Sequence, residues 1–424
     1  MRKLLVVGLL SFATAAFCQS PIQHVVIIMM ENRSFDHLFG LYPGANGVSK
    51  GTLSTGTVVQ LSHAPDMVGN ADHGWPGSII AIDNGKMDGF NLLWGCKPPD
   101  SYTVCYSQYQ STDIPNLWAY AQNYVLGDNF FSSEKGASYT NHQYTIAAQA
   151  GDAIGIPIVP GGEPLSWGCD ASSNVLLQLY NPVTKVFSKV YPCFDYATLS
   201  DLLEAVGLDW SAYCAPQYTG GYEWCAADSI SHIRNNPTEW AHIKPITQFA
   251  SDAQSGKLPA VTWVTPKTGS SCHPPASMGK CENWLTTQVN AIMAGPEWES
   301  AAVFVSWDDF GGYYDHVPPP VTDYFGLGIR VPLLIISPFV NPGTVCHTQS
   351  SFDSFVRFVE NNWDLPALTQ RDANAGDLTT CMNLQMSAKK LVQTPRRTPK
   401  LTRKQQQEIN KEINEEWAKH PDDD

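Results

Sequence analysis

Residues 24–30 read HVVIIMM, and the chain passes from this run directly into Glu31-Asn32-Arg33. Unbroken apolar sequence rich in β-branched side chains suits a strand covered on both faces, as in the interior of a parallel sheet. Three further runs have the same character: Pro259–Val264 (PAVTWV), Ala301–Ser306 (AAVFVS) and Val331–Ser337 (VPLLIIS). Helical patterning lies between and after them, at Thr286–Ala294 and at Phe352–Trp363, where Phe352, Phe355, Phe358 and Val359 recur at helical spacing. Alternating strands and helices predict an α/β domain whose mostly parallel sheet is flanked by helices.

The composition agrees with a large folded domain. The chain has 424 residues, of which 43% are hydrophobic and only 16% charged, so neither a disordered chain nor a small stapled scaffold fits. A net charge of −14 argues against a nucleic-acid partner, which requires lysine and arginine to neutralise phosphates. The first residues combine Arg2 and Lys3, an apolar stretch over Leu4–Phe12, and the small residues Ala13, Ala15 and Ala16. This is the pattern of a secretory signal peptide, expected over residues 1–18, and it predicts a secreted or periplasmic protein. No later run has the length of a membrane-spanning helix.

The chain carries 11 cysteines, and setting Cys18 aside with the leader leaves an even number for disulfides. Cys96/Cys105, Cys214/Cys225 and Cys272/Cys281 are close enough in sequence to staple local loops. None of the spacings matches the C-x₂-C pattern of a zinc–cysteine centre. The expected organisation is a domain over 19–385, with an irregular, disulfide-tied insertion or cap at about 160–240. A charged tail, read as an exposed helix, follows over 386–424.

Chemistry collects where these strands end, which is where open parallel sheets carry their sites. A carboxylate and an amide, Glu31 and Asn32, follow the first strand and suit oxygen ligation of a cation. Asp36 and His37 just beyond them read as structural. The strand ending at Ser306 runs into Trp307-Asp308-Asp309-Phe310-Gly311-Gly312, where two adjacent carboxylates repel unless a cation or proton lies between them. The third piece is Ser138-Tyr139-Thr140-Asn141-His142, set between an apolar stretch and a helical run over Tyr144–Ala150. A hydroxyl at such a turn is either a helix N-cap or a nucleophile activated by a neighbouring metal.

Together these stretches resemble a known family. HVVIIMMENRSFDHLFG, WDDFGGYYDHVPPP and GIRVPLLIISPFV are similar to signatures of the phosphoesterases that include non-haemolytic phospholipases C, plant non-specific phospholipases C and a group of bacterial acid phosphatases. SYTNH resembles the nucleophile turn of the wider alkaline phosphatase-like superfamily. The resemblance runs over roughly residues 22 to 365. It implies a doubly wound α/β core and one divalent metal ion, whether Ca²⁺, Mg²⁺, Mn²⁺ or Zn²⁺. Carried over by position, Glu31, Asn32, Ser138, Asp308 and Asp309 would bind the metal, with Ser138 as nucleophile. Histidines line the phosphate pocket in this family. His273, 36 residues before Asp309, and His73 in NADHGW match two of them, and His242 is a third candidate. Thr140 stands where relatives often carry proline, which makes it a competing hydroxyl. His63, His142, His232 and His316 read as structural.

The implied activity is hydrolysis of phosphate mono- or diesters, of the phospholipase C or acid phosphatase type, through a phosphoserine. The substrate would be a small phosphate ester or a phospholipid headgroup. A sulfate-ester hydrolase of the same superfamily is one alternative, although the C-x-P-x-R or S-x-P-x-R turn such enzymes need is absent. A non-catalytic binding protein that retains the fold is the other.

Overall fold

The HVVIIMM run forms β1, His24–Met30, at the centre of the sheet. The computed structural model describes residues 20–159, 165–387 and 390–395. Among the described residues the main sheet has eight strands. In chain order the others are β2 (Val125–Gly127), β3 (Trp210–Cys214), β4 (Ile243–Pro245), β5 (Val261–Val264), β6 (Ala301–Trp307), β7 (Leu333–Ile336) and β8 (Thr344–Cys346). Their spatial order is β4-β3-β5-β1-β6-β7-β2-β8. The chain leaves β1 for one edge and returns through the other, so the winding reverses beside β1. β1 pairs in parallel with β5 on one side and β6 on the other.

The α/β reading and its mostly parallel sheet hold, with one refinement. β7, from the VPLLIIS run, is antiparallel to both β6 and β2. Apolar continuity reports burial on both faces and is silent on direction. A strand covered from both sides looks the same in sequence whichever way it runs.

Helices cover the sheet. α1 (Phe35–Phe39), α2 (Pro115–Asn123), α3 (Ser138–Ala147), α4 (Met278–Ala294) and α5 (Asp353–Trp363) are the ones that matter for the site. α5 lies against β6: Phe304 packs on Phe355 and Phe358 at ring-centroid distances of 5.3 and 4.9 Å. Each such buried aromatic contributes about 1.5–3 kcal/mol of hydrophobic stabilisation. α3 begins at Ser138, six residues before the expected start, and all ten of its residues are buried. It stops where Ala148 turns left-handed, at φ 50°.

The stretch at 160–240 divides. Leu177–Asn181 and Val186–Val190 form an exposed antiparallel hairpin outside the main sheet. Trp210–Cys214, however, is a fully buried strand of that sheet. Its sequence, WSAYC, lacks the aliphatic run that marks the other strands, which hides it from pattern reading. Five disulfides tie the described residues together: Cys96–Cys105, Cys169–Cys193, Cys214–Cys225, Cys272–Cys281 and Cys346–Cys381. The three local staples read from the sequence are among them.

The leader expected over 1–18 and most of the tail expected over 386–424 lie outside the described residues. The parts of the tail that are described, 386–387 and 390–395, form no helix. The latter docks on two helices: the Gln393 amide N–H donates to Asn290 Oδ1 at 3.1 Å, and Gln393 Nε2 donates to the Asn116 carbonyl at 2.8 Å.

Candidate active site

The register of two strands builds the site. Met30 and Trp307 are cross-strand partners at the ends of β1 and β6, so Glu31 and Asp308 emerge side by side. The Asp308 amide donates to the Met30 carbonyl at 3.0 Å. Asn32 then takes a left-handed conformation, φ 54°, which asparagine tolerates better than most residues. This turn lets its backbone N–H donate to Asp308 Oδ1 at 2.9 Å while its Nδ2 donates to both oxygens of Asp309, at 3.1 and 3.2 Å. Asp309 Oδ1 also accepts the Gly311 amide at 2.7 Å.

α3 delivers the other side. Ala137 is its N-cap, without a side-chain cap bond, and Ser138 is its first residue. Ser138 is therefore not the cap. Its Oγ donates across the site to Glu31 Oε2 at 3.2 Å. Thr140, the competing hydroxyl, bonds back to the Ala137 carbonyl at 3.0 Å and takes no part. Asn141 holds the loop before the helix, its Oδ1 accepting the Glu134 amide at 3.1 Å.

His142 lies one helical turn beyond Ser138, and here the structure corrects the sequence reading. Its Nε2 is 2.9 Å from Glu31 Oε1 and 3.9 Å from Asp308 Oδ2. Ligand atoms of Glu31, His142 and Asp308 all lie within 4.8 Å of one another. Residues i and i+4 share a helix face, so the spacing that appeared to serve packing carries His142 to the same carboxylate as Ser138.

A divalent metal fits this arrangement. Glu31 and Asp308 are both buried, as is Asn32. Asn32 Oδ1 and Asp308 Oδ2 are buried oxygens that accept no hydrogen bond. Buried acceptors of this kind are costly unless something positive meets them. Oxygen donors with one hydroxyl suit a hard or borderline cation. Asp309, expected as a further ligand, makes the contacts of a residue that orients Asn32 and closes the turn at Gly311.

Two of the three expected phosphate-site histidines come together. His73 and His273 are buried with ring centroids 5.9 Å apart. Their Nδ1 atoms lie 2.6 Å from the Ala71 carbonyl and 2.7 Å from the Pro274 carbonyl. Each Nδ1 therefore donates to a carbonyl, which fixes the orientation of the ring. The Glu31 amide donates to the Ser271 carbonyl at 2.9 Å, tying the loop that carries His273 to the metal cluster. Gly312 does the same for His73. It has φ 77°, and a Cβ there would lie 2.5 Å from the Cβ of Ala71, so only glycine lets the two loops meet.

His242 is not part of this cluster. It precedes β4, and its Nδ1 is 2.7 Å from the carbonyl of Trp210 at the start of β3, level with the start of β1 and not with the ends of β1 and β6 that carry Glu31 and Asp308. Its ring stacks on Trp210. His63 and His232 face Asp113 and Asp195, each at 2.8 Å.

Asp36 and His37 lie behind the site, both buried. His37 stacks on Tyr313 at 3.9 Å, and burial, reinforced by the nearby Arg33 guanidinium, lowers its pKa well below the usual value and keeps it neutral. Arg330 is buried and donates to Asp315 (Nε to Oδ1, 3.1 Å) and Asp36 (Nη2 to Oδ1, 3.3 Å). Burial raises the Asp315 pKa to about 6, with Arg330 opposing the rise. This network anchors α1 against the loop that follows Asp309.

A model of the Phosphoesterase family matches residues 22–366. The chain belongs to the Phosphoesterase family. Relatives within it include a non-hemolytic phospholipase C of Burkholderia pseudomallei, 25% identical over 443 residues, which cover 88% of this chain and 61% of that protein. Phospholipase C B of Mycobacterium tuberculosis is 24% identical, with 86% of this chain and 78% of that protein covered. Non-specific phospholipase C1 of Arabidopsis thaliana is 24% identical, with 88% and 73% covered. The chain thus spans less than two thirds of the Burkholderia relative. Among solved structures, murine ectonucleotide pyrophosphatase/phosphodiesterase 5 aligns with a TM-score of 0.43 at 8% identity, covering 85% of this chain and 100% of that one. A Vibrio parahaemolyticus protein of the alkaline phosphatase superfamily aligns at 0.35 and 10% identity, covering 81% and 66%.

Proposed function

We propose that the protein is a secreted, metal-dependent phosphoesterase that works through a phosphoserine on Ser138. The observation that carries this reading is the convergence of the Ser138 hydroxyl on Glu31, beside the unbonded oxygens of Asn32 and Asp308. Glu31, Asn32, Asp308 and Ser138 would hold the metal, with Asp309 fixing Asn32 and His142 fixing Glu31. When bound, such an ion lowers the pKa of a coordinated hydroxyl and offsets charge on a phosphoryl oxygen.

The chain's own groups supply the rest. Glu31 Oε2 accepts the Ser138 proton. The N-terminus of α3 presents backbone N–H groups and the positive end of a helix dipole to the oxyanion of Ser138 and to an incoming phosphate. Ser138 attacks phosphorus and the bond to the leaving alcohol breaks. His273 and His73, held by their Nδ1 bonds, act in the doubly protonated form: Nε2–H donates to the equatorial oxygens, and one ring passes that proton to the departing oxygen and is left neutral. Water then releases phosphate or a phosphomonoester from Ser138. The leader-like first residues and the disulfides support placement in an oxidising, extracytoplasmic compartment.

The test is hydrolysis of p-nitrophenyl phosphate and p-nitrophenylphosphorylcholine by the purified protein, with and without EDTA, beside Ser138→Ala. The expected result is release that EDTA suppresses and Ser138→Ala abolishes while the melting temperature is retained. A faster monoester marks a phosphatase, and a faster choline diester marks a phospholipase C. Wild-type rates in Ser138→Ala would overturn the assignment of the nucleophile.

A further inference from the structure

A cleft of ≈ 300 Å³ opens where four separate segments meet: the start of helix Trp75–Ile82, the irregular stretch at 154–158 that follows α3, the hairpin, and the loop at Tyr324. Its lining includes Trp75, Ile154, Ile156, Tyr180, Phe187 and Tyr324. The aromatic rings stack in series: Trp75 on Tyr324 with centroids 6.3 Å apart, Tyr324 on Tyr180 at 4.6 Å, and Tyr180 against Phe187 at 4.8 Å. Yet Phe187 is 59% exposed and Tyr324 47%. Large apolar groups left in water around a concavity mark a binding surface more than a core.

Its position indicates what it binds. Trp75 is two residues beyond His73, and the Lys135 ammonium, three residues before Ser138, sits 5.9 Å from the centre of the Trp75 ring. Through Trp75 the cleft borders the segment that follows His73 and touches the one that precedes Ser138. Among the described residues its lining holds no charged side chain. The Lys135 cation already occupies the face of Trp75, which disfavours a second cation such as a quaternary ammonium there. The occupant that matches is neutral and apolar.

We propose that this cleft is the subsite for the alcohol side of the phosphoester, and that it takes an alkyl chain or similar uncharged apolar group. Trp75, Tyr180, Phe187 and Tyr324 then set specificity by burying that group, while the phosphate lies toward Ser138. The proposal rests on the phosphoesterase reading for its neighbour, and the test separates the two.

The experiment is calorimetric titration of the metal-loaded full chain with methylphosphonate and octylphosphonate, the latter below its critical micelle concentration. The proteins are wild type, Phe187→Ala, the double variant Phe187→Ala/Tyr324→Ala, and Val206→Ser as a remote exposed control. Hydrolysis of ethyl and octyl phosphate by wild type is measured in parallel. The expected result is octylphosphonate binding at least ~10-fold tighter than methylphosphonate, the scale of apolar-pocket discrimination. That ratio should shrink in Phe187→Ala, collapse toward one in the double variant and persist in Val206→Ser. A wild-type ratio near one, or a ratio unchanged in the double variant, overturns the cleft assignment. A ratio that behaves as expected with neither ester hydrolysed overturns the function and leaves the cleft. Because Phe187 is exposed on a hairpin, its single variant keeps the test available if the double variant melts early.

Discussion

Replacing His142 with alanine should weaken metal binding while leaving every proposed ligand in the chain. One contact holds Glu31 from this side, the 2.9 Å approach of His142 Nε2 to Glu31 Oε1, made by a ring that is only 3% exposed. A hydrogen bond to a charged group contributes about 1.5–3 kcal/mol net. At ~1.4 kcal/mol per factor of ten, losing it loosens the metal roughly 10- to 150-fold. Residues that orient metal ligands elsewhere give a similar range, ~10–100-fold. The assay is a competition titration of chelator-stripped protein with Ca²⁺, Mg²⁺, Mn²⁺ and Zn²⁺ in turn, against a fluorescent chelator. His142→Gln, which retains a donor, should recover part of the affinity. The ring also borders an apolar cavity with Trp224 and Trp263, so melting curves of both variants are recorded to separate packing from metal affinity. Affinity within twofold of wild type, or tighter binding because a repulsive cation had been removed, would refute the argument that His142 orients Glu31.

Two further outcomes follow from groups away from the metal. Arg330→Met leaves Asp36 and Asp315 buried without their cation, at a cost of about 3–5 kcal/mol. At ~2.1 cal/mol/K of unfolding entropy per residue, that lowers Tm by about 3–6 °C for a chain this long; a melt within a degree of wild type would show the network to be dispensable. Glu360 has its pKa raised to about 8, first by burial and then by its hydrogen bond to Asp372. The folded state therefore holds a proton that the unfolded chain releases near the usual glutamate value. This group's contribution to stability falls as pH rises from about 4.5 to about 8 and is flat outside that window. Glu360→Gln should accordingly gain stability over wild type at pH 8–9 and lose that advantage at pH 4, measured by urea unfolding. An advantage that does not change with pH would refute the assignment.

How much was legible depends on how each feature is encoded. Glu31, Asn32 and Asp308 were readable because each directly follows an unbroken apolar strand, and parallel neighbours in register end together. Ser138 was readable as a hydroxyl at a strand-to-helix turn. His142 was misjudged because i, i+4 spacing states which side chains share a face and not what that face meets. His242 is a candidate by family resemblance alone, and the sheet places it beside the starts of the parallel strands, away from the ends that carry Glu31 and Asp308. Trp210–Cys214 was missed as a strand because aromatic, serine and cysteine residues fill its buried face where valine and isoleucine do so elsewhere.

The sequence alone determined the α/β class, the chemical character of the site and the local cysteine staples, since each is written in contiguous residues whose local periodicity or spacing carries the information. The direction of β7, the meeting of His73 with His273, the turning of Asp309 toward Asn32 and the convergence of Trp75, Tyr180 and Tyr324 on one cleft were decided by tertiary structure. These depend on pairings between segments separated by tens to hundreds of positions, and side-chain pattern within one segment carries no record of which distant segment will pack against it.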